Sequence, residues 1–413
     1  MKNRAWVIVC ILLSCFSCTG STSESGGDGG DIGADADTDS DGDTDTDSDT
    51  DTDTDTDTDT DTDTDTDSDS DSGEPSIESI SGTVSDDETI SIIGNDFGPK
   101  AQAPPFRSSY DHPTTSMNFS ETGTLDDNWS LTGEAMLLLQ DDFQRLSQRN
   151  YISLEYSDRS YYGGSGYSAG LESVLPQERM IYISWWDHLQ SDFDLSHMST
   201  GSCNIKWMYN SPGHGSSAAL QFCGEDNIRG TAHVGGETDE EQDANLDIPV
   251  GGGFYGRPLS WSANYLPPFG QWNFIEWTYY LNSAPGIYDG WTELRINNER
   301  IYKVIHIDEY GDDPFDYFRN IRFGGNYGYD DSGTTQYRHY GDIYIDSTLA
   351  RIVIGNAPNY EDCTHLELQV PSAWSDYSIS ATVNQGGFMD EETAYVFVID
   401  EDGNVSNGYE LNF

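Results

Sequence analysis

The chain has 413 residues, of which 74 are Asp or Glu and only 18 are Lys or Arg, so its formal net charge is −56. A field of this sign repels nucleic acids, anionic membranes and polyanionic substrates, and it argues against those partners. The 25 tyrosines, 10 tryptophans and 42 glycines, together with few helical periods, favour an all-β class.

Residues 1–17 have the pattern of a secretory signal, with two basic residues ahead of the apolar run Ala5–Leu13. That run is too short to be a permanent membrane span. The segment Leu12–Cys15 (LLSC) resembles the bacterial lipobox, whose cysteine is lipidated and becomes the mature N-terminus. The resemblance implies an exported protein anchored through Cys15, or alternatively Cys18, to the bacterial envelope, at the outer membrane or cell surface.

Residues 18–74 form a low-complexity stretch in which every second residue from Asp35 to Asp71 is Asp, mostly in Asp-Thr repeats. Such a segment buries no apolar area and its like charges repel, so the sequence predicts a disordered, extended tether. The tether would carry the globular part away from the membrane.

The globular part begins with two predicted strands, Ile77–Val84 and Thr89–Ile93, which end in a Gly-Asn-Asp-Phe-Gly turn. This opening resembles a TIG (IPT) domain, an immunoglobulin-like β-sandwich. Ala373–Asn384 and Thr393–Phe413 resemble the closing half of the same family. The resemblance implies one TIG-like domain split into residues 75–104 and 357–413, with a larger domain inserted between its halves. The alternative is that the opening strands pack directly on the central domain.

Between these halves, short alternating segments separated by turn residues predict many antiparallel strands, which is typical of a jelly roll. The predicted strands are Tyr151–Tyr156, Met180–Trp186, Asn204–Asn210, Ala218–Phe222, Asn273–Leu281, Thr292–Asn297, Ile301–His306, Asn320–Gly325, Asp342–Asp346 and Arg351–Ile354. Asp141–Gln148 is the segment that best fits a short helix.

The stretch Gln271–Ile305 is predicted to form the frame of this domain, as three strands joined by two turns. Its apolar residues, among them Ile275, Trp277, Leu294 and Ile296, alternate with polar ones. A sheet with one apolar face needs a second sheet to cover it, so the frame predicts a β-sandwich.

Three pieces of sequence resemble the concanavalin A-like sandwich of legume-type lectins, laminin G-like modules and several polysaccharide lyases. They are MIYISWWDHL with SCNIKWMYN, then WNFIEW with DGWTELRINNERIY, and finally IRFGGNYGY with HYGDIYID. The resemblance spans residues 105–356 and implies a fold, not a catalytic signature.

Cys203 and Cys223 are equidistant from Gly213, so a symmetric hairpin would set the two sulfurs opposite one another as a disulfide. That register pairs Lys206 with Leu220, and a bulge would be needed to pair apolar residues with one another. Cys363 has no evident partner and is predicted to be a buried free thiol.

Polar and aromatic residues on the two predicted sheets suggest a ligand groove. Strict alternation along Asn204–Asn210 puts Lys206 on the face opposite Tyr209. If the Lys206 face joins the polar face of the frame, the groove contains groups that suit sugars: Asn204, Lys206, Trp186, Glu276, Tyr280, Glu293 and Arg295. The alternative is a solvated sheet face with ion pairs such as that of Glu293 with Arg295.

Catalytic motifs are sparse in this sequence. The E-x-D-x-x-E run of retaining glycosidases on this fold does not occur. The TELRIN strand resembles the R-x-E-L-R strand of alginate lyases, but Trp291 occupies the first Arg position and no Q-x-H segment occurs. If the protein is a lyase, the sequence points to Arg295, Lys206, His306 and Tyr280, with His339 and Tyr340 as further candidates.

These observations favour a lipid-anchored surface protein that binds glycan or acts in adhesion without catalysis. A polysaccharide lyase or glycoside hydrolase that uses the concave face of the jelly roll is the alternative. The expected partners are the membrane, through the lipid anchor, and polysaccharide. No cofactor is expected other than a structural calcium ion, for which Asp342 and Asp346 are the candidate ligands.

Overall fold

A computed structural model describes residues 73–105, 107–108, 124–126, 129–132, 137–138, 152–156, 170–193, 205–212, 218–223, 229–234, 237–238, 257–261, 267–308, 318–324 and 336–413. The described residues belong to one compact unit, Asp69–Phe413. The predicted signal, the tether to residue 72 and the helix Asp141–Gln148 lie outside the described residues. In the part that is described, no helix is long and apolar enough to cross a bilayer.

The described residues form an all-β protein, as the sequence predicts. The strands are β1 (Ser76–Gly82), β2 (Thr89–Asn95), β3 (Arg107–Ser108), β4 (Thr124–Asp126), β5 (Trp129–Thr132), β6 (Leu137–Leu138), β7 (Ile152–Tyr156), β8 (Gly170–Glu178), β9 (Met180–Leu189), β10 (Ile205–Pro212), β11 (Ala218–Cys223), β12 (Arg229–Val234), β13 (Glu237–Thr238), β14 (Arg257–Trp261), β15 (Asn273–Tyr280), β16 (Gly290–Ile296), β17 (Glu299–Asp308), β18 (Phe318–Gly324), β19 (Gln336–Asp346), β20 (Arg351–Gly355), β21 (Leu366–Ser375), β22 (Ser378–Thr382), β23 (Thr393–Ile399) and β24 (Tyr409–Asn412). A short 3-10 helix covers Tyr360–Asp362.

Two large antiparallel sheets pack face to face as a sandwich. One is the nine-stranded sheet, in the order β13-β17-β16-β15-β9-β19-β7-β6 with β3 beside β19. The other is the eight-stranded sheet, in the order β14-β12-β11-β10-β18-β8-β5-β4. Trp185 of the first sheet contacts Phe323 of the second edge-to-face at 5.4 Å, and Tyr279 contacts Phe318 in the same way at 5.5 Å. These contacts identify the inner face of each sheet.

The predicted frame is confirmed as the centre of the nine-stranded sheet. Strands β15, β16 and β17 pair in order, and Ile275 lies opposite Ile296 while Trp277 lies opposite Leu294. All four side chains are at most 5% exposed. Full burial of one large apolar side chain stabilises a fold by about 1.5–3 kcal/mol, so this row is a substantial part of the core.

The seven-stranded sheet takes its strands from both sides of the sandwich in the sequence. Its order is β1-β2-β22-β21-β20-β23-β24, and β2 pairs with β22 from Thr89–Thr382 to Ile93–Ser378. Ile90 and Ile92, before the sandwich, share one core with Ile379 and Val396, after it. Strand β20 (Arg351–Gly355) pairs with β21 and β23 here. Its predicted assignment to the inserted sandwich is therefore wrong, because its partners are the C-terminal strands.

The seven-stranded sheet packs against the face of the nine-stranded sheet that points away from the sandwich interior. A shared core joins Tyr182, Trp186 and Phe274 of the larger sheet to residues of the smaller one, such as Leu368 and Phe397. Lys100 adds a buried ion pair with Asp346 at 2.5 Å, and its ammonium donates to the carbonyl of Ala350.

Candidate functional site

The predicted groove residues lie on two different sheets. Lys206 is in β10 of the eight-stranded sheet, whereas Glu276, Glu293 and Arg295 are in β15 and β16 of the nine-stranded sheet. The latter three alternate with the inward row of Trp277 and its neighbours, so they lie on the face away from the eight-stranded sheet. The prediction that these residues line one groove is therefore wrong. Asn204 lies outside the described residues.

Glu276 is a buried junction residue, not a groove residue. Its carboxylate is 3% exposed, accepts the Tyr182 hydroxyl at 2.6 Å and lies 3.5 Å from the Arg351 guanidinium, which stacks over the Tyr182 ring at 4.5 Å. Burial raises the pKa of Tyr182 well above its usual value, so this phenol keeps its proton. Trp186 is also buried, and it packs on Phe274 at 5.4 Å and on His365 at 5.5 Å. The seven-stranded sheet covers both residues.

Beyond this covered centre, a partly exposed group of rings and charges remains at one end of the same face. We call it the Trp291 patch, and it consists of Tyr280, Trp291, Glu293, Arg295 and Lys303. Tyr280 pairs directly with Trp291 across two strands, and both are half-buried. The Glu293 carboxylate lies 2.6 Å from Arg295 and 3.6 Å from Lys303, whose ammonium sits 4.9 Å from the centre of the Trp291 ring.

At the other end of this face, a pair of histidines is enclosed by larger rings. His188 and His339 are cross-strand partners with ring centres 5.5 Å apart, and Trp272 and Tyr337 lie beside them. Burial lowers the pKa of both imidazoles, and for His339 it does so to about 3, with the neighbouring His188 adding to the effect. Both rings are therefore neutral at neutral pH. Tyr340, the other further lyase candidate, is in the sandwich interior against Phe323.

The predicted calcium ligands occupy different surroundings. Asp346 binds Lys100 through one oxygen, which also accepts the Tyr344 hydroxyl, while the other oxygen accepts the backbone N–H of Ser347. A calcium ion at Asp346 would have to displace the Lys100 ammonium. Asp342 is buried at the bulge of β19, with φ of 44°. Within the described ranges, no group of three or more His, Cys, Asp or Glu side chains is placed to hold a metal.

The cysteine predictions have separate outcomes. Cys363 is confirmed as a buried free thiol, whose sulfur lies 3.4 Å from the carbonyl oxygen of Asn359. The disulfide stays a prediction, because Cys203 lies outside the described residues. The predicted pairing of Lys206 with Leu220 is wrong, because Lys206 lies opposite Gln221. A bulge between Lys206 and Met208 then shifts the register, so that Met208 pairs with Leu220.

On the eight-stranded sheet, two neighbouring rows of residues differ in polarity. Leu131, Leu171, Phe323, Met208, Leu220, Ala232 and Leu259 form one row of direct partners across seven strands. Since Phe323 packs on Trp185 of the other sheet, this row belongs to the inner face. The adjacent row belongs to the opposite face and consists of Ser130, Glu172, Arg322, Tyr209, Ala219, His233 and Pro258.

The bulge in β10 brings Lys206 to this second face. Ala219 and Gln221 are two residues apart on β11 and so share a face, and they pair with Tyr209 and Lys206 respectively. Lys206 and Tyr209 therefore occupy the same face, contrary to strict alternation. We call this the polar face, defined by positions Glu172, Lys206, Tyr209, Gln221, Thr231, His233 and Arg322.

Several positions of the polar face are neighbours in the backbone of the sheet. Tyr209 and Arg322 are direct partners on adjacent strands, which lie about 4.8 Å apart. His233 is two strands from Tyr209, with only Ala219 between them in the row. Local sequence patterns do not bring Tyr209, His233 and Arg322 together, since their common face depends on long-range strand pairing. His306, another predicted lyase residue, is in β17 of the opposite sheet.

No protein-family model matches the chain, and no curated protein matches it. Solved structures with a similar backbone include polysaccharide lyases. The endo-β-1,4-glucuronan lyase from the fungus Trichoderma reesei is 13% identical with a TM-score of 0.38, over 55% of this chain and 94% of that one. The alginate lyase from Aplysia kurodai is 14% identical with a TM-score of 0.41, over 59% and 100% of the respective chains. The alginate lyase from Chlorella virus is 13% identical with a TM-score of 0.38, over 57% and 98%. Likeness at this level does not decide the activity of this chain.

Proposed function

We propose that the protein is a lyase that cleaves uronate-containing polysaccharide on the polar face of the eight-stranded sheet. The observation that carries the proposal is the grouping of Lys206, Tyr209, His233 and Arg322 at neighbouring positions of one sheet face. These four residue types can hold a carboxylate and transfer protons. The proposal thus favours the alternative of the sequence analysis over non-catalytic glycan binding.

The proposed reaction is a β-elimination that needs no co-reactant. A basic side chain removes the proton on the carbon next to the sugar carboxylate, and the released electron pair forms a carbon–carbon double bond. The glycosidic C–O bond on the adjacent carbon breaks, and the leaving oxygen takes a proton from an acidic side chain. Arg322 would neutralise the carboxylate, which makes the neighbouring C–H more acidic. Tyr209, Lys206 and His233 are the candidates for the two proton transfers.

The net charge of the chain does not prevent this chemistry. Exposed charges separated by more than about 8 Å are largely screened at physiological ionic strength, so nearby groups dominate the field at a bound sugar. Lys206 and Arg322 are two of only 18 basic residues in the chain, and both belong to the polar face. The acidic surroundings would lower the rate of encounter with an anionic polymer, and added salt should increase that rate.

The test is release of unsaturated product from a panel of polyuronates, measured by ultraviolet absorbance. Tyr209→Phe should lower kcat at least about 100-fold if the phenol transfers a proton, and Arg322→Ala should also abolish most activity. Tyr377→Phe and Arg300→Ala are matched controls at exposed positions outside the eight-stranded sheet, and they should retain activity. Equal loss in the controls, or no unsaturated product from any polyuronate, would overturn the proposal. Binding without cleavage would favour non-catalytic glycan recognition.

We also propose that the protein is exported and anchored through a lipid on Cys15, so that the tether holds the enzyme off the membrane. The lipobox-like segment Leu12–Cys15 and the alternating Asp residues support this proposal. Metabolic labelling with an alkyne fatty acid should mark the wild type and the Cys18→Ala variant but not the Cys15→Ala variant. Labelling of the wild type and the Cys15→Ala variant, but not of the Cys18→Ala variant, would instead assign the lipid to Cys18.

We further propose that the seven-stranded sheet is a split immunoglobulin-like domain of the TIG type. The pairing of β2 with β22 supports this assignment, since it joins segments on either side of the sandwich. Deletion of residues 75–104 should therefore lower the melting temperature of the whole unit. An unchanged melting temperature would contradict the split domain.

A further inference from the structure

We propose that the Trp291 patch is a second, non-catalytic binding site for a uronate-containing polysaccharide. The patch lies on the nine-stranded sheet, whereas the polar face belongs to the eight-stranded sheet. The patch shares no residue with the proposed lyase site, and binding to it does not require cleavage.

The rings of the patch provide an apolar surface of the kind on which sugars stack. Tyr280 and Trp291 are direct partners on β15 and β16, and both are half-buried, so part of each residue is open to solvent. By contrast, Phe274 on the same face of β15 is 2% exposed, because the seven-stranded sheet covers it. The apolar faces of sugar rings pack on aromatic side chains, and the half-buried Tyr280 and Trp291 would serve this purpose.

The charges of the patch add selectivity for a carboxylated sugar. Arg295 and Lys303 share the single carboxylate of Glu293, at 2.6 Å and 3.6 Å. Two further acids lie near Arg295. Glu361 is 3.9 Å away with a side chain that is 76% exposed, and Glu276, the cross-strand partner of Arg295, already lies 3.5 Å from Arg351. The Lys303 ammonium already lies over the Trp291 ring, 4.9 Å from its centre. A sugar that packs against this ring would therefore meet the ammonium with its carboxylate.

An acidic polysaccharide fits the patch better than a protein or nucleic acid partner does. The patch has only two rings and lacks the large apolar area that a stable protein interface buries. A nucleic acid would need several phosphate contacts, whereas the cations of the patch are Arg295 and Lys303, which both pair with Glu293. A flexible polyuronate can bring one or two sugar units to the patch, while the rest of the polymer stays in solvent.

Affinity electrophoresis through gels that contain polygalacturonate or alginate tests the proposal. The assay uses the Arg322→Ala background, so that the proposed cleavage does not consume the polymer. The added double change Trp291→Ala and Lys303→Met should weaken retardation, with about a tenfold rise in Kd. Tyr377→Ala is the matched control, because Tyr377 is an aromatic residue that is 61% exposed, in the turn between β21 and β22. This control should bind as the background protein does.

The outcomes separate the two sites. If the double change leaves retardation in polyuronate gels unaltered, the second site is refuted. It is also refuted if the Tyr377→Ala control loses as much retardation, or if the double change lowers retardation equally in gels that contain neutral dextran. A protein that binds no polyuronate at all would overturn it too. Loss of cleavage in Tyr209→Phe with retained binding through the patch would support both sites. If the wild type cleaves no polyuronate but still binds it through Trp291, the proposed lyase activity is refuted and the proposed binding site is supported.

Discussion

The buried His339 predicts a specific loss of stability in mild acid. Its side chain is 4% exposed, and burial lowers its pKa from 6.5 to about 3. Between these two values the unfolded chain binds a proton at this residue and the folded chain does not. Stability therefore falls as the pH drops below 6.5, at about 1.4 kcal/mol per pH unit. At pH 5 the contribution of this one group reaches about 2 kcal/mol.

The assay compares the wild type with His339→Gln, whose side chain does not titrate. Urea unfolding is followed by tryptophan fluorescence at pH 8, 7 and 5, and the change in unfolding free energy with pH is compared, not its absolute value. Between pH 7 and pH 5 the wild type should lose about 2 kcal/mol more than the variant. Between pH 8 and pH 7 the two should change equally. An equal loss in both proteins down to pH 5 would refute the reasoning.

Two further predictions concern the packing of buried groups. Arg338 lies 2.8 Å from the carboxylate of Asp187, both are at most 1% exposed, and burial already raises the pKa of Asp187 to about 6. In urea unfolding, Arg338→Met should lower the unfolding free energy by about 3–5 kcal/mol, and adding Asp187→Leu should recover much of this loss. If the second change recovers nothing, the loss does not come from the broken ion pair. Gly386→Ala should cost at least about 2 kcal/mol, because φ is +60° and the new Cβ would lie 2.0 Å from the Glu367 carboxyl carbon. Gly286→Ala, with φ of +75° and open space, is its control and should cost only about 1 kcal/mol; equal losses in thermal melts would exclude the clash.

The frame was predictable because its information is local. Ile275 and Trp277 alternate with polar residues, and the partner residues Leu294 and Ile296 follow within one short hairpin. Neither strand needs a distant segment to define which of its faces is apolar. The structure accordingly confirms both the strands and their buried face.

The candidate site was harder to predict because its geometry depends on one inserted residue. A bulge changes which residues share a face on either side of it, and its position follows from the register with the partner strand. In β10 the bulge reverses the relation between Lys206 and Tyr209 that strict alternation predicts. Glu276 shows a second limit. Its position in the alternating pattern of β15 is one that usually faces solvent. In the structure, however, the seven-stranded sheet, formed by segments distant in the sequence, covers it.

The pairing of β2 with β22 has a consequence for how the newly made chain reaches its final state. Ile90 and Ile92 complete their core only when Ile379 is available, near the other end of the chain. During synthesis, the first hairpin (β1 and β2) therefore exposes apolar side chains until the C-terminal strands have been made. A chaperone that covers this hairpin, or rapid folding of the intervening sandwich, would protect the nascent chain from aggregation.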